Sequence, residues 1–452
     1  MLYQYKNNDG KVFNLAPHNN FTIESENIFT TIVGQNGTGK SRLLASIIEE
    51  FTRFNRFEAE SKNYIFYHIE KSYSPTNIIA ISISPFDKFP LAPANQTIHY
   101  TNLGLKRLNS KYLGRSYISN IVYSLLEKIV GKQEKTDEFL KILNYLGYID
   151  IFDLRFETED EWHNLLVQYH NLDNKSLSYF KDRLEAMPKK RLYNFFFNDD
   201  FNEDTQYSYF KKALKLISLM SNNINSLRLD LMITNSGIQI LDNIFNIEQT
   251  DILFLLESGI IRLHDINLYK KNIEKHFSIT EASSGEQSVI MSMLGIASKI
   301  ENGSLICIDE PEICLHPAWQ EKYIKFLMNT FKDYKGCHFI IATHSPQITS
   351  KLEDENCYVM SMDDGKLVSA STLNNKSIDF QLAHIFKSPG FKNEYLTREL
   401  ISLITLISEG KGQEELHSTK IEEILALKDV IDDDDPVKEL IKMVESVKKE
   451  LS

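Results

Sequence analysis

The chain has 452 residues, 42% hydrophobic and 11% aromatic, enough for one large or two to three ordinary domains that each bury a core. That excludes a disordered tail and a small scaffold dependent on disulfides or metals. With 50 basic against 62 acidic residues, the net charge of -12 argues against a chain that coats nucleic acid over its whole surface, while local basic patches stay open.

The longest apolar runs, such as LISLITLI from Leu400, fall short of the roughly 18 to 20 residues a membrane span needs. The opening MLYQYKNNDGKVF lacks a basic head followed by an apolar stretch, which predicts no secretory signal. Cys307, Cys314, Cys337 and Cys357 form no CxxC pair, so the expectation is reduced thiols, a cytoplasmic location and no structural metal.

In chain order, LYQY and KVFNL flank Asn8, Asp9 and Gly10 and predict a hairpin. IFTTIV predicts a strand running into a Gly-rich turn, then a helix with apolar positions Leu43, Leu44, Ile47, Ile48 and Phe51. IIAISIS (78–84), SLICID (304–309) and FIIAT (339–343) are short and almost wholly apolar, as in parallel strands buried on both faces. From about 95 to 225, stretches such as SNIVYSLLEKIV and YSYFKKALKLISLM suit amphipathic helices, and sheet signals nearly vanish. The alternation of Leu227, Leu229, Leu231 and Ile233, and then IIRLHDINLY (260–269), predict strands that lead back to the sheet. CYVMSMDDGKLVSA turns at Asp363, Asp364 and Gly365 and predicts a hairpin at the sheet edge. From Phe391 onward the pattern is helical and acidic, with Asp432 to Asp435 before Pro436 read as a solvated turn. There is no internal repeat and no sustained heptad.

The strongest motif is Gly34, Gln35, Asn36, Gly37, Thr38, Gly39, Lys40 and Ser41, which matches GxxxxGK[ST] between a strand and a helix. Such glycines turn backbone N–H groups toward phosphates, the lysine reaches the outer phosphates, and the serine hydroxyl ligates magnesium. ATP and Mg2+ are the expected cofactors. In LICIDEP an apolar strand delivers Asp309 and Glu310 to its C-terminal edge, Asp309 for the magnesium shell and Glu310 to orient or deprotonate water. FIIATHSP sets His344 after another buried strand, within reach of a terminal phosphate, although a lone histidine is more often structural. Ala282, Ser283, Ser284, Gly285, Glu286 and Gln287 form a Ser/Gly turn that opens an apolar helix, and an ordinary helix cap by Ser283 or Ser284 with the acid that follows is the alternative.

GQNGTGKS, SSGEQ, ICIDEPE and ATHSP follow the order and approximate spacing of the Walker A, signature, Walker B and switch-histidine motifs, so the chain resembles ABC-type ATPases. DEPEICLHP followed by Trp319 and Gln320 looks like the RecF, SMC and OLD-like branch. Three departures stand out: Leu315-His316 where transporters carry Leu-Asp, Ala282 for the usual Leu, and Ser284 for the first of two glycines. The resemblance implies an α/β head with a mixed, largely parallel sheet in two lobes, 1–95 and 270–385. Between them lies a mainly helical insertion, 96–269, that forms a compact lid, and a helical segment, 386–452, follows. It implies that Ser283, Ser284, Gly285 and Glu286 meet the phosphates held by Lys40 of a second copy. Ser84, at the end of IIAISIS, is the candidate for the family's further magnesium ligand, and a turn made by Ser84 and Pro85 is the alternative.

The interval between Walker A and the signature lacks the heptads of an SMC coiled coil, and the C-terminal helices lack the acidic strand ends of an OLD nuclease. The remaining resemblance is to compact defence ATPases of the PtuA kind, from Septu antiphage systems and retron modules. It implies a separate HNH-type nuclease as partner and no nuclease chemistry in this chain. A RecF-like repair ATPase and a nucleotide-stabilised scaffold with little turnover are the alternatives. Lys189, Lys190 and Arg191 with Tyr193 and Phe195 to Phe197 either grip a nucleic-acid strand or form a solvated turn before a core segment.

Overall fold

A computed structural model describes residues 1–52, 68–84, 86–91, 98–104, 113–132, 136–158, 181–182, 184–185, 190–197, 201–221, 228–241, 247–271, 276–352, 355–373, 376–409 and 418–451. Two compact units emerge, Met1–Arg107 with Ile300–Ser452, and Leu108–Lys299. In chain order the strands are β1 (Leu2–Lys6), β2 (Val12–Asn14), β3 (Ile28–Val33), β4 (Ile69–Lys71), β5 (Asn77–Ser82), β6 (His99–Asn102), β7 (Phe152–Thr158), β8 (Arg228–Thr234), β9 (Gly237–Ile240), β10 (Ile261–Tyr269), β11 (His276–Ser278), β12 (Leu305–Asp309), β13 (His338–Ala342), β14 (Cys357–Ser361) and β15 (Leu367–Ser369).

The first unit holds a seven-stranded sheet in the order β15-β14-β3-β13-β12-β5-β6. Every neighbouring pair is parallel except the edge hairpin β14–β15, so the sheet is mixed and largely parallel, as the sequence predicts. All residues of β3, β5, β12 and β13 are buried, which is why these strands are largely apolar rather than alternating. The helix Lys40–Thr52 lays Leu43, Leu44, Ile47, Ile48 and Phe51 onto this sheet, against Ile32, Ala80, Cys307 and Ile340. The N-terminal hairpin β1–β2 forms as predicted and gains β4 as a third antiparallel strand. Gly365 closes the β14–β15 turn at φ +68°, and a Cβ there would lie 2.1 Å from the Val12 carbonyl oxygen, so only glycine fits.

The C-terminal helices Glu394–Ser408, Thr419–Leu425 and Pro436–Leu451 close with the helix Ile378–His384 on their own apolar cluster, including Ala383, Leu396, Leu400, Ile424, Ile441 and Val444. Asp432, Asp433 and Asp434 are exposed as expected of a turn. Asp435 corrects that reading. It is buried, and its carboxylate accepts from the backbone N–H groups of Lys392 (2.8 Å) and Val437 (2.9 Å), tying the entry to the helix Glu394–Ser408 to the start of the helix Pro436–Leu451.

The second unit carries a five-stranded antiparallel sheet, β11-β10-β7-β8-β9, with the helices Leu113–Lys132, Asp137–Tyr145, Lys190–Phe196, Glu203–Ser221, Gln249–Glu257 and Ser284–Lys299. The predicted strands near 229–233 and 260–269 are β8 and β10. β7 is a correction, because it lies inside the stretch read as helical, as does β6 at the edge of the other sheet. Phe152, Leu154 and Phe156 of β7 are buried, while Arg155 and Glu157 on the opposite face meet Asp230 (3.7 Å) and His264 (2.9 Å) across the sheet. A half-polar strand this short resembles one face of the helices around it. Phe196 and Phe197 are buried, which favours the core reading of that aromatic stretch. Leu227, Lys189 and the side chains of Lys190 and Arg191 lie outside the described residues. No described helix is long and apolar enough to cross a membrane.

One polar side chain inside the central sheet gives a measurable signature. Thr30 donates its hydroxyl hydrogen to the Leu15 carbonyl (2.5 Å), so the His338 ring 3.0 Å away is the Nε2–H tautomer donating to Thr30. Burial, aided by the charge of the N-terminus, pushes His338 down to about 3 from its ordinary 6.5. Below pH 6.5 the unfolded chain binds this proton and the folded chain does not until about pH 3, so stability falls as pH falls through that window. The slope from this group is about 1.4 kcal/mol per pH unit. Urea melts at several pH values below 6.5 should show a shallower acid loss in His338→Leu than in the parent; equal slopes would refute this account.

Candidate nucleotide site

The phosphate-loop sequence spans the gap between β3 and the helix that starts at Lys40. Gly34 sits against β14–β15, and a Cβ there would lie 2.9 Å from Met362 Cβ, so the loop tolerates no side chain at its entry. Gly37 (φ +82°) and Gly39 (φ +97°) take left-handed conformations that the tight turn requires. The Thr38 hydroxyl donates to the Gln35 carbonyl (2.9 Å), the Gln35 amide donates to the Lys387 carbonyl (3.0 Å), and Asn36 is exposed.

Lys40 is buried, and its ammonium donates to the carbonyls of Gly34 (2.9 Å) and Gln35 (3.2 Å) and meets His344 Nδ1 at 3.1 Å. An ammonium only donates, so Nδ1 accepts and the imidazole proton sits on Nε2, 3.4 Å from Glu310 Oε1. Burial and the Lys40 charge press His344 down to about 4, keeping the ring neutral near pH 7. Burial also lowers Lys40 to about 8, although Glu310, Glu312 and Asp309 pull the other way.

Parallel register brings the acids to the same place. Asp309 lies opposite Ala342 of β13 and Ser82 of β5, and its Oδ1 accepts from the Ser41 hydroxyl at 3.0 Å. Burial lifts its carboxyl to about 7, with Ser41 opposing and Glu310, Glu312 and Asp87 adding repulsion. A serine hydroxyl beside a buried carboxylate is a donor set that fits magnesium, whose charge would favour the ionised carboxylate. Glu310 follows at φ +50°, a region sparsely populated by non-glycine residues, with its N–H bound to the Ala342 carbonyl (2.9 Å). The site thus joins Lys40, Ser41, Asp309, Glu310 and His344 within one unit.

Ser84 is half-buried at the end of β5, where its hydroxyl accepts from Phe86 N–H (3.2 Å), the behaviour of a turn residue; Pro85 lies outside the described residues. Ser283, Ser284, Gly285 and Glu286 belong to the second unit. Ser283 N–H and hydroxyl donate to Glu286 Oε2 (3.1 and 3.0 Å) and Glu286 N–H donates back to Ser283 Oγ (3.3 Å), a reciprocal helix cap. Lys270 pairs with Glu286 at 3.2 Å. Burial tends to raise that carboxyl, but the Ser283 bonds and Lys270 outweigh it and hold it below the usual range. Gly285 is buried and Ser284 exposed at the first turn. His316 caps the helix Pro317–Thr330, its Nδ1 accepting from Ala318 N–H.

Three residues at the site carried no role in the sequence reading. Glu312 accepts from the Thr343 hydroxyl (2.9 Å) and from His344 N–H. Gln320 Oε1 accepts from the Ser345 hydroxyl (2.7 Å). Buried Asp87 accepts from Phe89 N–H (3.0 Å) and acts on Asp309 through its charge. The bonds of Glu312 and Gln320 join residues 31 and 25 positions apart, although Glu312 belongs to the DEPE sequence itself.

Residues 141–350 match the family described as "AAA domain, putative AbiEii toxin, Type IV TA system". That segment, less than half of the chain, is similar to the AAA domain of this family. The signature, Walker B and switch-histidine sequences all fall inside the matched segment, and the phosphate-loop sequence lies upstream of it. The chain is 22% identical over 403 residues to "Retron Ec83 probable ATPase" of Escherichia coli, covering 79% of this chain and 70% of that one. It is 23% identical over 451 residues to "Retron Vc95 probable ATPase" of Vibrio cholerae serotype O1 biovar El Tor, covering 88% and 82%. Among solved structures it aligns with an Smc head bound to the C-winged helix domain of ScpA at 14% identity, covering 81% and 97%, with a TM-score of 0.28.

Gly34→Ala tests the loop geometry. The added methyl forces either the loop or Met362 to move, so nucleotide affinity should fall by about tenfold or more while the fold loses about 1–3 kcal/mol. Titration with a fluorescent ATP analogue and a urea melt check both; parent-like affinity would refute the close approach.

Proposed function

We propose that this chain binds Mg-ATP through the phosphate loop, Ser41 and Asp309, hydrolyses it slowly, and assembles head to head so that each copy completes another's site. In this reading it controls a separate HNH-type nuclease in antiphage defence in the cytoplasm. The observation that carries the nucleotide chemistry is the convergence of Lys40, the Ser41–Asp309 hydrogen bond, and the Glu310–His344 contact at the ends of three adjoining strands. Names of two relatives, both retron probable ATPases, support a defence setting. The nuclease partner rests on the resemblance of the motifs and on the compact insertion.

Chemically, Lys40 leaves its loop carbonyls for the outer phosphates, and Glu310 takes a proton from the attacking water. Neutral His344 offers its Nε2–H to the terminal phosphate or the water, a directed dipole near developing negative charge. Magnesium, when bound, supplies positive charge to the phosphate oxygens. Ser283 and the first N–H groups of its helix form an anion-binding end suited to the terminal phosphate of a second copy. Nucleotide therefore acts as a linker between copies.

Mass measurement with and without ATP, alongside phosphate release, tests this reading. Lys40→Ala should lose nucleotide binding, and Glu310→Gln should keep binding, slow turnover about a hundredfold or more, and accumulate the assembled form. A monomer at every nucleotide level would sink the shared site, and ATP-driven assembly without phosphate release would favour a scaffold.

A further inference from the structure

Glu310 and His344 lie on separate loops, after β12 and β13, and the fold must hold those loops in register for the pair to work. One side chain bridges them. Glu312 sends Oε2 to the Thr343 hydroxyl (2.9 Å) and Oε1 to the His344 N–H. The Thr343 hydroxyl in turn accepts from Ser345 N–H (2.9 Å), so the loop before, at and after His344 is fastened to one carboxylate. A half-buried carboxylate with two fixed donors has little freedom to reorient, and a displacement of about 1 Å at a reacting group costs up to a hundredfold in rate. The arrangement links a main-chain position to the imidazole on it, whose two nitrogens face Lys40 and Glu310.

We propose that Glu312 is a positioning residue for hydrolysis: it clamps the 343–345 loop to the Walker B loop and so sets the His344 ring between Lys40 and Glu310. This rests on the nucleotide reading above and on the role given there to His344. Glu312 acts through His344 and touches no phosphate.

Four proteins separate this from a general structural role: parent, Glu312→Ala, His344→Ala and the double variant, each measured for kcat and KM with a melt to check folding. Glu312→Ala should lower kcat about tenfold or more with a much smaller change in KM, yet cost less than about twofold once His344 is alanine, because the two losses share one route. Glu312→Gln keeps an acceptor and should recover part of the rate. Should Glu312→Ala unfold, Thr343→Val removes one of the two donors while leaving the carboxylate, and the same non-additivity with His344→Ala is expected. Equal loss from Glu312→Ala in both backgrounds, or a parent-like kcat while His344→Ala is slow, would overturn the inference alone. A parent-like His344→Ala would overturn the role of His344 and the inference with it.

Discussion

Four buried parallel strands, β5, β12, β13 and β3, pair in a register that aligns Ser82, Asp309, Ala342 and Ile32 in one row. Asp309 stands in that row, and the other candidate site segments begin one or two residues past it. A slip of one residue at β12 would turn Asp309 to the opposite face of the sheet and part it from Ser41. The apolar continuity of these strands therefore does two things at once: it covers both faces of the sheet and fixes where the polar residues at the strand ends appear. The glycines that admit Met362 and Val12 at close range serve the same end, since they let the β14–β15 hairpin seat against the phosphate loop and the N-terminal strands.

This division explains what the sequence made legible. A doubly buried strand has a one-dimensional signature, and the phosphate loop needs contiguous residues, so IFTTIV, LICID and residues 34–41 announced themselves. The helix cap of Ser283 and Glu286 was also local and was read correctly as an alternative. β7 was not, because its polar face is satisfied by Asp230 on β8 and by His264, Asn267 and Tyr269 on β10, partners far along the chain. Asp435 was hidden for a similar reason. Its three exposed neighbours set the texture of the run, whereas its own burial depends on the Lys392 N–H, 43 residues earlier. Glu312 stood in plain view in DEPE, but its work is defined by a loop 31 residues away.

The electrostatics of the site follow from burial rather than from any single ion pair. Lys40 pulled down to about 8 and Asp309 lifted to about 7 both sit close to neutrality, each paying for partial removal from water. In the proposed reading, Lys40 would gain charge beside a phosphate and Asp309 beside a divalent cation, so each ligand would favour the charged form of the residue that meets it. His344 differs, since its low value leaves it neutral across the useful range and makes it a hydrogen-bond group rather than a charge.

The same site reaches the acidic end of the chain. From Phe391 onward there are 15 acidic and 9 basic residues, half of the whole net charge. The apolar stripes of Val437, Ile441 and Val444 are consumed in a cluster shared with Ala383, so they offer no free face for a partner. That cluster is nevertheless tied to the nucleotide site at two points: Thr349, on the short helix after His344, donates to buried Gln381 (2.7 Å), and Gln35 of the phosphate loop donates to the Lys387 carbonyl (3.0 Å). Both contacts fall on the segment 378–387, whose helix Ile378–His384 packs into that cluster through Ala383. Among the described residues of this segment, charged side chains share the outer surface with exposed Phe391, Ile401, Val430 and Met443. Any recognition at that surface would depend on salt and on the orientation of the helices more than on buried apolar area.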